Sequence, residues 1–402
     1  MGIASRPRRI ALQVFPCYIF PRSRSSYFHV ERITSMRIDR CIPILIVAAL
    51  VWGGESFSLP RFASRTGARC QSCHINPSGG EMRQTYGVQY GRDQLPVPAW
   101  SSAFDIDDFS NVLTNFLGVG ADFRTLFYYR QLGDTASDNR LVQMQGDLYL
   151  NFRVAKNVGL FLRKGLYSGF EVFGLFNLLP AHGSIKIGKF VPNFGTKVDD
   201  HTAYIRTYTG FRPEIDSPEL TGGEVAVSPG PLTITGGFYN ADAGADFGGL
   251  NNKKAFLGRA EGLFSLGTGV NLGLGGDVFT KQNVAGDRKT LMGGFGSFSY
   301  GLLSVFGEAD LIRNTTLGNT VTGLVVYIEG DYMVTQGVDL KLAYDFYDPD
   351  KDLKTGAFSR YSVGVEFFPM GGLGVRPIYR ILTESPSNKT QNEFDLMFHI
   401  YL

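Results

Sequence analysis

The sequence predicts an all-β fold: a transmembrane outer-membrane β-barrel of about 16 antiparallel strands, preceded by a short plug segment. Runs of about ten residues alternate between apolar and polar side chains, which is the period of a β-strand. The final run shows this best, with one apolar face formed by Phe394, Leu396, Phe398, Ile400 and Leu402. The chain of 402 residues contains 50 Gly, 32 Phe and 19 Tyr, and its mean hydropathy is −0.03. This composition favours a barrel whose apolar face contacts lipid over a soluble sandwich with an apolar core.

Connection lengths support the same fold. Tight turns are predicted at 156–157, 180–183, 228–231, 266–268, 301, 336–337 and 371–373. Longer polar connections alternate with them at 131–140, 192–219, 241–252, 281–288, 313–319, 348–357 and 383–391. Outer-membrane barrels alternate short periplasmic turns with longer outer loops, and an even strand number places both termini on the periplasmic side. The longest connection, Val191 to Glu219, follows the fifth strand, and in 16-stranded porins that loop folds inward, so we expect residues 195–202 to lie in the lumen.

The amino-terminal residues 1–58 have the features of an export signal that follows a gene-model extension. Arg37 and Arg40 form a positive region, 42–52 is apolar, and cleavage after Ser58 is predicted, with translation beginning at Met36. An apolar run of about 11 residues is too short to span a bilayer, which needs about 20. Removing 1–58 takes away eight Arg and three acidic residues, so the formal net charge changes from +2 to about −3, and no nucleic-acid partner is expected.

The segment Cys70-Gln71-Ser72-Cys73-His74 is a C-x-x-C-H motif, the attachment site of a c-type haem. Two thiols on one helical turn can bond the two vinyl groups of one porphyrin, and the adjacent imidazole becomes the proximal iron ligand. The spacing alone also fits half a zinc site or a thioredoxin-like pair. However, the chain offers no second pair of zinc ligands and no neighbouring βαβ pattern. We therefore predict one covalent haem c in residues 59–110, a segment too short to bury it without the barrel of residues 111–402.

The sixth iron ligand is less well defined by the sequence. His201 is the preferred candidate, because it follows two aspartates on the expected inward loop, and these could set its tautomer. His182 in a turn, His399 near the periplasmic rim and Met82 close to the motif are alternatives, as is an open or water-bound iron.

Asp199 and Asp200 precede His201 and could contact a hard cation such as ferrous iron in the lumen. The alternative interpretation is an ordinary solvated loop, or salt bridges with Lys197 or Arg206. The residue types alone favour this second interpretation.

An export signal, the stretch R-T-G-A-R-C-Q-S-C-H-I-N-P at 65–77 and a porin-like barrel together resemble the fused outer-membrane cytochrome-porins. This resemblance implies one haem in a plug inside or beneath the barrel, embedded in outer-membrane lipid. It further implies electron transfer from an extracellular donor such as ferrous iron to a periplasmic c-type cytochrome, a ferrous iron:cytochrome c oxidoreductase activity. Two other functions remain open: a solute or anion porin with a redox-sensing haem plug, and an outward-directed terminal reductase.

Overall fold

The computed structural model describes residues 61–100, 110–132, 136–166, 169–212, 217–241, 252–387 and 389–402. The predicted export signal and start site lie outside the described residues. In this part of the chain, no helix combines the length and the apolar character that a membrane crossing requires.

The described residues form sixteen antiparallel strands that close into a single barrel, which confirms the predicted fold class. Each strand pairs with its neighbours in chain order, and β1 pairs with β16, so that Asp122 lies opposite Tyr401. The strands are β1 (Leu117–Leu132), β2 (Ala136–Ala155), β3 (Val158–Gly165), β4 (Phe170–Leu179), β5 (Gly183–Phe190), β6 (Leu220–Val227), β7 (Leu232–Asn240), β8 (Lys254–Gly267), β9 (Val270–Gln282), β10 (Arg288–Tyr300), β11 (Leu303–Thr316), β12 (Asn319–Thr335), β13 (Val338–Asp348), β14 (Ala357–Met370), β15 (Leu373–Ser385) and β16 (Lys389–Tyr401).

All seven predicted tight turns lie at one end of the barrel. At the other end of the barrel, the strands extend further than predicted, into segments that the sequence predicts to be polar loops. Residues 313–319 were predicted to be a loop, yet β11 continues to Thr316 and β12 begins at Asn319. Strands that project beyond an apolar band have two polar faces, so polarity alone cannot separate a strand extension from a loop. The connection between β3 and β4 was not predicted.

The two faces of each strand separate apolar from polar side chains. On β13, Leu340 and Leu342 are exposed on the outside, whereas Asp339 and Lys341 are buried in the lumen. The last strand follows the predicted pattern in the same way, with Ile400 outside and 53 % exposed. The outer wall is therefore apolar and the inner wall carries most of the charged groups, as expected of a barrel that faces lipid.

The segment before the barrel forms short helices inside the lumen: α1 (Arg61–Thr66), α2 (Cys70–Cys73), α3 (Thr85–Gln89) and a π-helical turn (Tyr90–Gln94). We call residues 61–100 the plug. It lies at the end with the tight turns, because the Val97 amide donates to the Phe368 carbonyl at 2.9 Å and Gln336 donates to the Asp93 carbonyl at 3.2 Å. Arg61 enters the lumen and pairs with Glu366 of the wall.

The first part of the connection between β5 and β6, residues 191–212, folds into the barrel from the other end and contains α4 (Tyr204–Thr209). We call it the inward loop. The Thr196 amide donates to Glu308 of β11 at 2.6 Å, and the Tyr204 amide donates to Asp345 of β13 at 2.7 Å. These bonds across the lumen confirm the predicted inward fold. The loop and the surrounding wall together form a buried apolar cluster that includes Phe190, Phe194, Val198, Ile205, Tyr239, Leu257, Phe279, Leu291, Phe306 and Tyr327.

Candidate functional site

The two cysteines of the motif lie on the single turn of α2, and neither forms a disulfide. The turn is closed by the His74 amide, which donates to the Cys70 carbonyl at 2.8 Å. Cys70 is buried against Gly79, where a Cβ would lie 2.7 Å from the Cys70 Sγ atom, so that only glycine fits. Burial raises the pKa of the Cys73 thiol. The turn therefore presents two thiols outside any disulfide next to an imidazole.

A short antiparallel pairing holds the motif against the following segment of the plug. His74 lies opposite Arg83, and the Gln84 amide donates to the Cys73 carbonyl at 2.8 Å. Burial in the lumen and, in the same direction, the positive charge of the adjacent Arg83 together lower the pKa of His74 to about 4. The Nδ1 atom of His74 is buried without a hydrogen-bond partner. At neutral pH the ring is uncharged, which is the form that binds a metal ion.

The plug, the wall and the inward loop together enclose a cavity of about 210 Å³, which we call the central cavity. His74 and Arg83 line it from the plug, Arg124 from β1, and Asp199 and His201 from the inward loop. The preferred distal ligand thus shares a cavity with the predicted proximal ligand. This juxtaposition joins residues more than a hundred positions apart in the sequence.

His201 is only 4 % exposed, and its Nε2 atom lies 2.7 Å from the Nη1 atom of Arg124. An arginine is always protonated, so Arg124 donates and His201 accepts. In this arrangement the Nε2 lone pair of His201 is engaged. Iron ligation through Nε2 would require Arg124 to release it, and the distal role stays a prediction.

The other candidate ligands do not line the central cavity. His399 donates or accepts a 2.8 Å hydrogen bond with Asp122, and Met82 is buried against Gly118 and Gly120 of β1. His182 lies in the tight turn between β4 and β5 and lines a separate cavity of about 40 Å³ that also contacts Cys70. Of the four candidates named from sequence, His201 is the one that lines the same cavity as His74.

Asp199 and Asp200 are held by arginines of the barrel wall. Asp199 accepts from Arg124 at 2.7 Å and from Arg376 at 2.9 Å, and Asp200 accepts from Arg380 at 2.7 Å. Although burial acts in the opposite direction, these guanidinium groups hold the pKa of both carboxyls well below the usual range.

Asp199 and Asp200 thus form salt bridges, as the second interpretation proposed, but their partners are arginines of the wall and not Lys197 or Arg206. Lys197 donates to the Gly79 carbonyl at 2.8 Å, and Arg206 donates to the Val198 carbonyl at 3.1 Å. The inward fold turns the two aspartates toward the wall, which local sequence does not reveal. The described residues contain no group of three or more His, Cys, Asp or Glu arranged to bind a metal ion. A ferrous iron contact at Asp199 and Asp200 stays a prediction.

The sequence reasoning missed the basic residues that contact the inward loop. Arg124 on β1 and the pair Arg376 and Arg380 on β15 have the inward parity of their strands, so alternation could have identified them. Lys197 joins the inward loop to the plug through the Gly79 carbonyl and the Ser78 hydroxyl, at 2.8 and 3.1 Å. No local pattern signals this contact.

The residues of the motif fit a covalently bound haem by their chemistry. Two thiols outside any disulfide, on one turn, match two vinyl groups, and the uncharged His74 ring matches an axial ligand. The central cavity of about 210 Å³ is smaller than the roughly 300–1,000 Å³ of pockets for organic ligands, so side chains around it must move to admit a macrocycle. Cys70 and His74 line different cavities, and a haem bonded to both would lie across the wall between them.

No protein-family model and no curated protein matches this chain. Solved structures with the same fold include the anion-selective porin from Comamonas acidovorans, with a TM-score of 0.53 and 11% identity, covering 71% of this chain and 99% of that chain. OprB of Pseudomonas putida gives 0.56 and 10%, covering 71% and 94%. OmpT of Vibrio cholerae gives 0.51 and 13%, covering 73% and 100%. At these identities the likeness shows the fold alone, which is that of outer-membrane porins.

Proposed function

We propose that this protein transfers electrons across the bacterial outer membrane through one haem c bonded to Cys70 and Cys73, with His74 as the proximal ligand. The observation that carries this proposal is the position of His74: it lines a cavity enclosed between the plug and the inward loop, in the middle of a filled barrel. The plug extends from the tight-turn end, and the inward loop enters from the other end. A single redox centre placed there can be approached from both sides of a membrane.

The filled lumen favours a conduit for electrons over an open pore. A diffusion pore needs a continuous hydrated path, and here aromatic side chains pack along the inner wall from β2 to β7. The rings of Tyr149, Phe161, Phe173, Phe190 and Tyr239 follow one another with centroid separations of 6.1, 4.9, 5.7 and 5.9 Å. Buried ion pairs occupy other parts of the inner wall, as between Arg380 of β15 and Asp395 of β16.

The protein's own residues would position and insulate the cofactor. A bound haem supplies one-electron transfer at a potential set by its axial ligands, burial and surroundings. His74 is uncharged and ready to ligate, and the Asp199 pairs with Arg124 and Arg376 hold the inward loop over the cavity. The loop keeps bulk water from the site, while the apolar outer wall matches a hydrocarbon layer about 30 Å thick.

In this function an extracellular donor such as ferrous iron gives electrons at the loop end, and a periplasmic c-type cytochrome accepts them at the tight-turn end. The activity would be that of a ferrous iron:cytochrome c oxidoreductase. Outward flow, as in a terminal reductase, uses the same residues in the opposite direction. The midpoint potential of the haem, measured against the two partners, distinguishes the directions.

The test is haem staining of the protein on a denaturing gel. We expect wild type and Ser72→Ala to stain. The double variant with Cys70→Ala and Cys73→Ala should lose the stain, because it keeps neither of the thiols that form the thioether bonds. The stained protein should then be reduced by ferrous iron and reoxidised by a soluble c-type cytochrome. Covalent haem in the double cysteine variant, or a haem that stays oxidised with every outer donor, would overturn the proposal.

A second candidate function is a solute or anion porin whose plug senses redox state. The observation in its favour is the charged lining of the central cavity, where basic residues such as Arg83 and Lys197 stand beside acidic residues such as Glu81 and Asp122. One protein of the same fold is an anion-selective porin. Anion flux into liposomes that carry this barrel, with no reduction of its haem by outer donors, would favour this function.

A further inference from the structure

Arg83 differs from three other arginines that line the central cavity. Arg61, Arg124 and Arg163 have carboxylate partners at 2.5, 2.7 and 2.8 Å, namely Glu366, Asp199 and Glu171. Among the described residues, the carboxylate nearest to Arg83 is Asp122, 3.7 Å from the Nη1 atom. That Nη1 atom is buried and has no hydrogen-bond partner.

Asp122 is already engaged by other groups. One of its oxygens is 2.8 Å from Nε2 of His399, and the other accepts a 3.0 Å hydrogen bond from the Tyr149 hydroxyl. The nearby Asp122 therefore does not satisfy the guanidinium of Arg83. A buried donor of this kind is costly to leave without an acceptor.

The position of Arg83 is fixed on two sides. Its backbone lies opposite His74 in the short antiparallel pairing, and residues in that relation project their side chains from the same face. Its guanidinium carbon lies over the Tyr401 ring, 4.2 Å from the centroid. The donors of Arg83 thus reach the central cavity beside the predicted axial ligand.

We propose that Arg83 is a cofactor-binding residue whose guanidinium binds a propionate carboxylate of the haem. This inference rests on the proposed function. The thioether bonds would fix the vinyl edge of the macrocycle at Cys70 and Cys73, and the propionates lie on the opposite edge. A planar guanidinium binds a carboxylate through two parallel hydrogen bonds. A small carboxylate from solution has the same chemistry, and the experiment separates the two.

The experiment measures the haem midpoint potential of the haem-loaded barrel in detergent. It compares wild type with Arg83→Gln and Arg83→Lys, and uses Arg92→Gln as control because Arg92 pairs with its neighbour Asp93 on the plug at 2.6 Å. Removing a positive charge from a haem carboxylate stabilises the oxidised iron. We expect a lower midpoint potential in Arg83→Gln, a smaller shift in Arg83→Lys and none in the control, with equal covalent haem stain and equal heat-dependent gel migration in all four.

A haem-loaded Arg83→Gln protein with the wild-type midpoint potential would overturn the propionate contact while leaving the proposed function intact. A wild-type potential that changes with added acetate at constant ionic strength, and an Arg83→Gln potential that does not, would mean that Arg83 binds carboxylates from solution; this outcome also overturns the contact. Wild-type protein without covalent haem would overturn both proposals together. Arg83→Lys keeps the test valid if the glutamine variant does not fold.

Discussion

Gly79 is the position where a small change should disturb the haem motif most directly. Its backbone has φ of +82°, which an alanine adopts only with strain, and the Cβ of an alanine would lie 2.7 Å from the Cys70 Sγ atom. Gly80 is a matched control, since its φ is +74° but the nearest side-chain atom to its added Cβ, from Lys197, is at 3.5 Å. Gly80→Ala therefore tests backbone strain alone, and Gly79→Ala tests strain and overpacking together.

The magnitudes follow from these two contributions. A non-glycine residue in the left-handed region costs about 1–3 kcal/mol. Forcing an extra carbon into a packed site costs about 1–3 kcal/mol more. Since about 1.4 kcal/mol corresponds to a tenfold change in an equilibrium constant, Gly79→Ala should increase the open fraction of the plug roughly 30-fold or more. Gly80→Ala should increase it about fivefold or more, and less than Gly79→Ala.

The assay is alkylation of Cys70 in protein produced without haem, in a Cys73→Ala background and under native conditions. When the plug opens and closes faster than the reagent reacts, the labelling rate reports the open fraction. Equal labelling rates in Gly79→Ala and Gly80→Ala would refute the argument that Gly79 is required by the close approach of Cys70.

Two further predictions concern the histidines of the central cavity. Because folding lowers the pKa of His74 to about 4, protonation of His74 between pH 7 and pH 4 should favour the open plug. Glu81 acts in the opposite direction, because burial raises its pKa to about 7 and its neutral form stabilises the folded segment. That contribution is lost as pH rises through 7. In haem-free His74→Gln the His74 contribution is gone, so acidification should lower the open fraction of the plug, read as the Cys70 labelling rate relative to that of the unfolded protein at the same pH. An open fraction with the same pH dependence as in wild type would contradict the assignment. If His201 is the sixth ligand, His201→Ala should convert a low-spin haem spectrum to a high-spin one and leave the covalent haem in place. His182→Ala is the control, and an unchanged spectrum in His201→Ala would exclude His201.

The barrel could be predicted from sequence because its strands and tight turns each have a local sequence pattern. Alternation along β16 indicates which side chains face outward, and each tight turn, such as Gln336-Gly337, lies between two strands of alternating character. The strand ends at 313–319 could not be predicted, since a strand beyond the apolar band is polar on both faces.

The site was predictable only in part. The C-x-x-C-H spacing identifies Cys70, Cys73 and His74 because their chemistry is contained in five consecutive residues. Alternation marks Arg124 as facing the lumen, but the partners of Arg83 and Arg124 could not be predicted, since those contacts join segments far apart in the chain. The same fact explains why Asp199 pairs with Arg376, 177 positions away.

The inward loop also has a mechanical consequence for the whole cylinder. It connects β1 and β15 through Asp199, β11 through Thr196 and β13 through Tyr204, so it joins walls that face one another across the barrel. A hollow cylinder flattens easily, but one with internal spokes can do so only by breaking buried bonds. Any ligand that shifts this loop would therefore change the cross-section of the barrel, and lateral pressure on the barrel would in turn be felt at the central cavity.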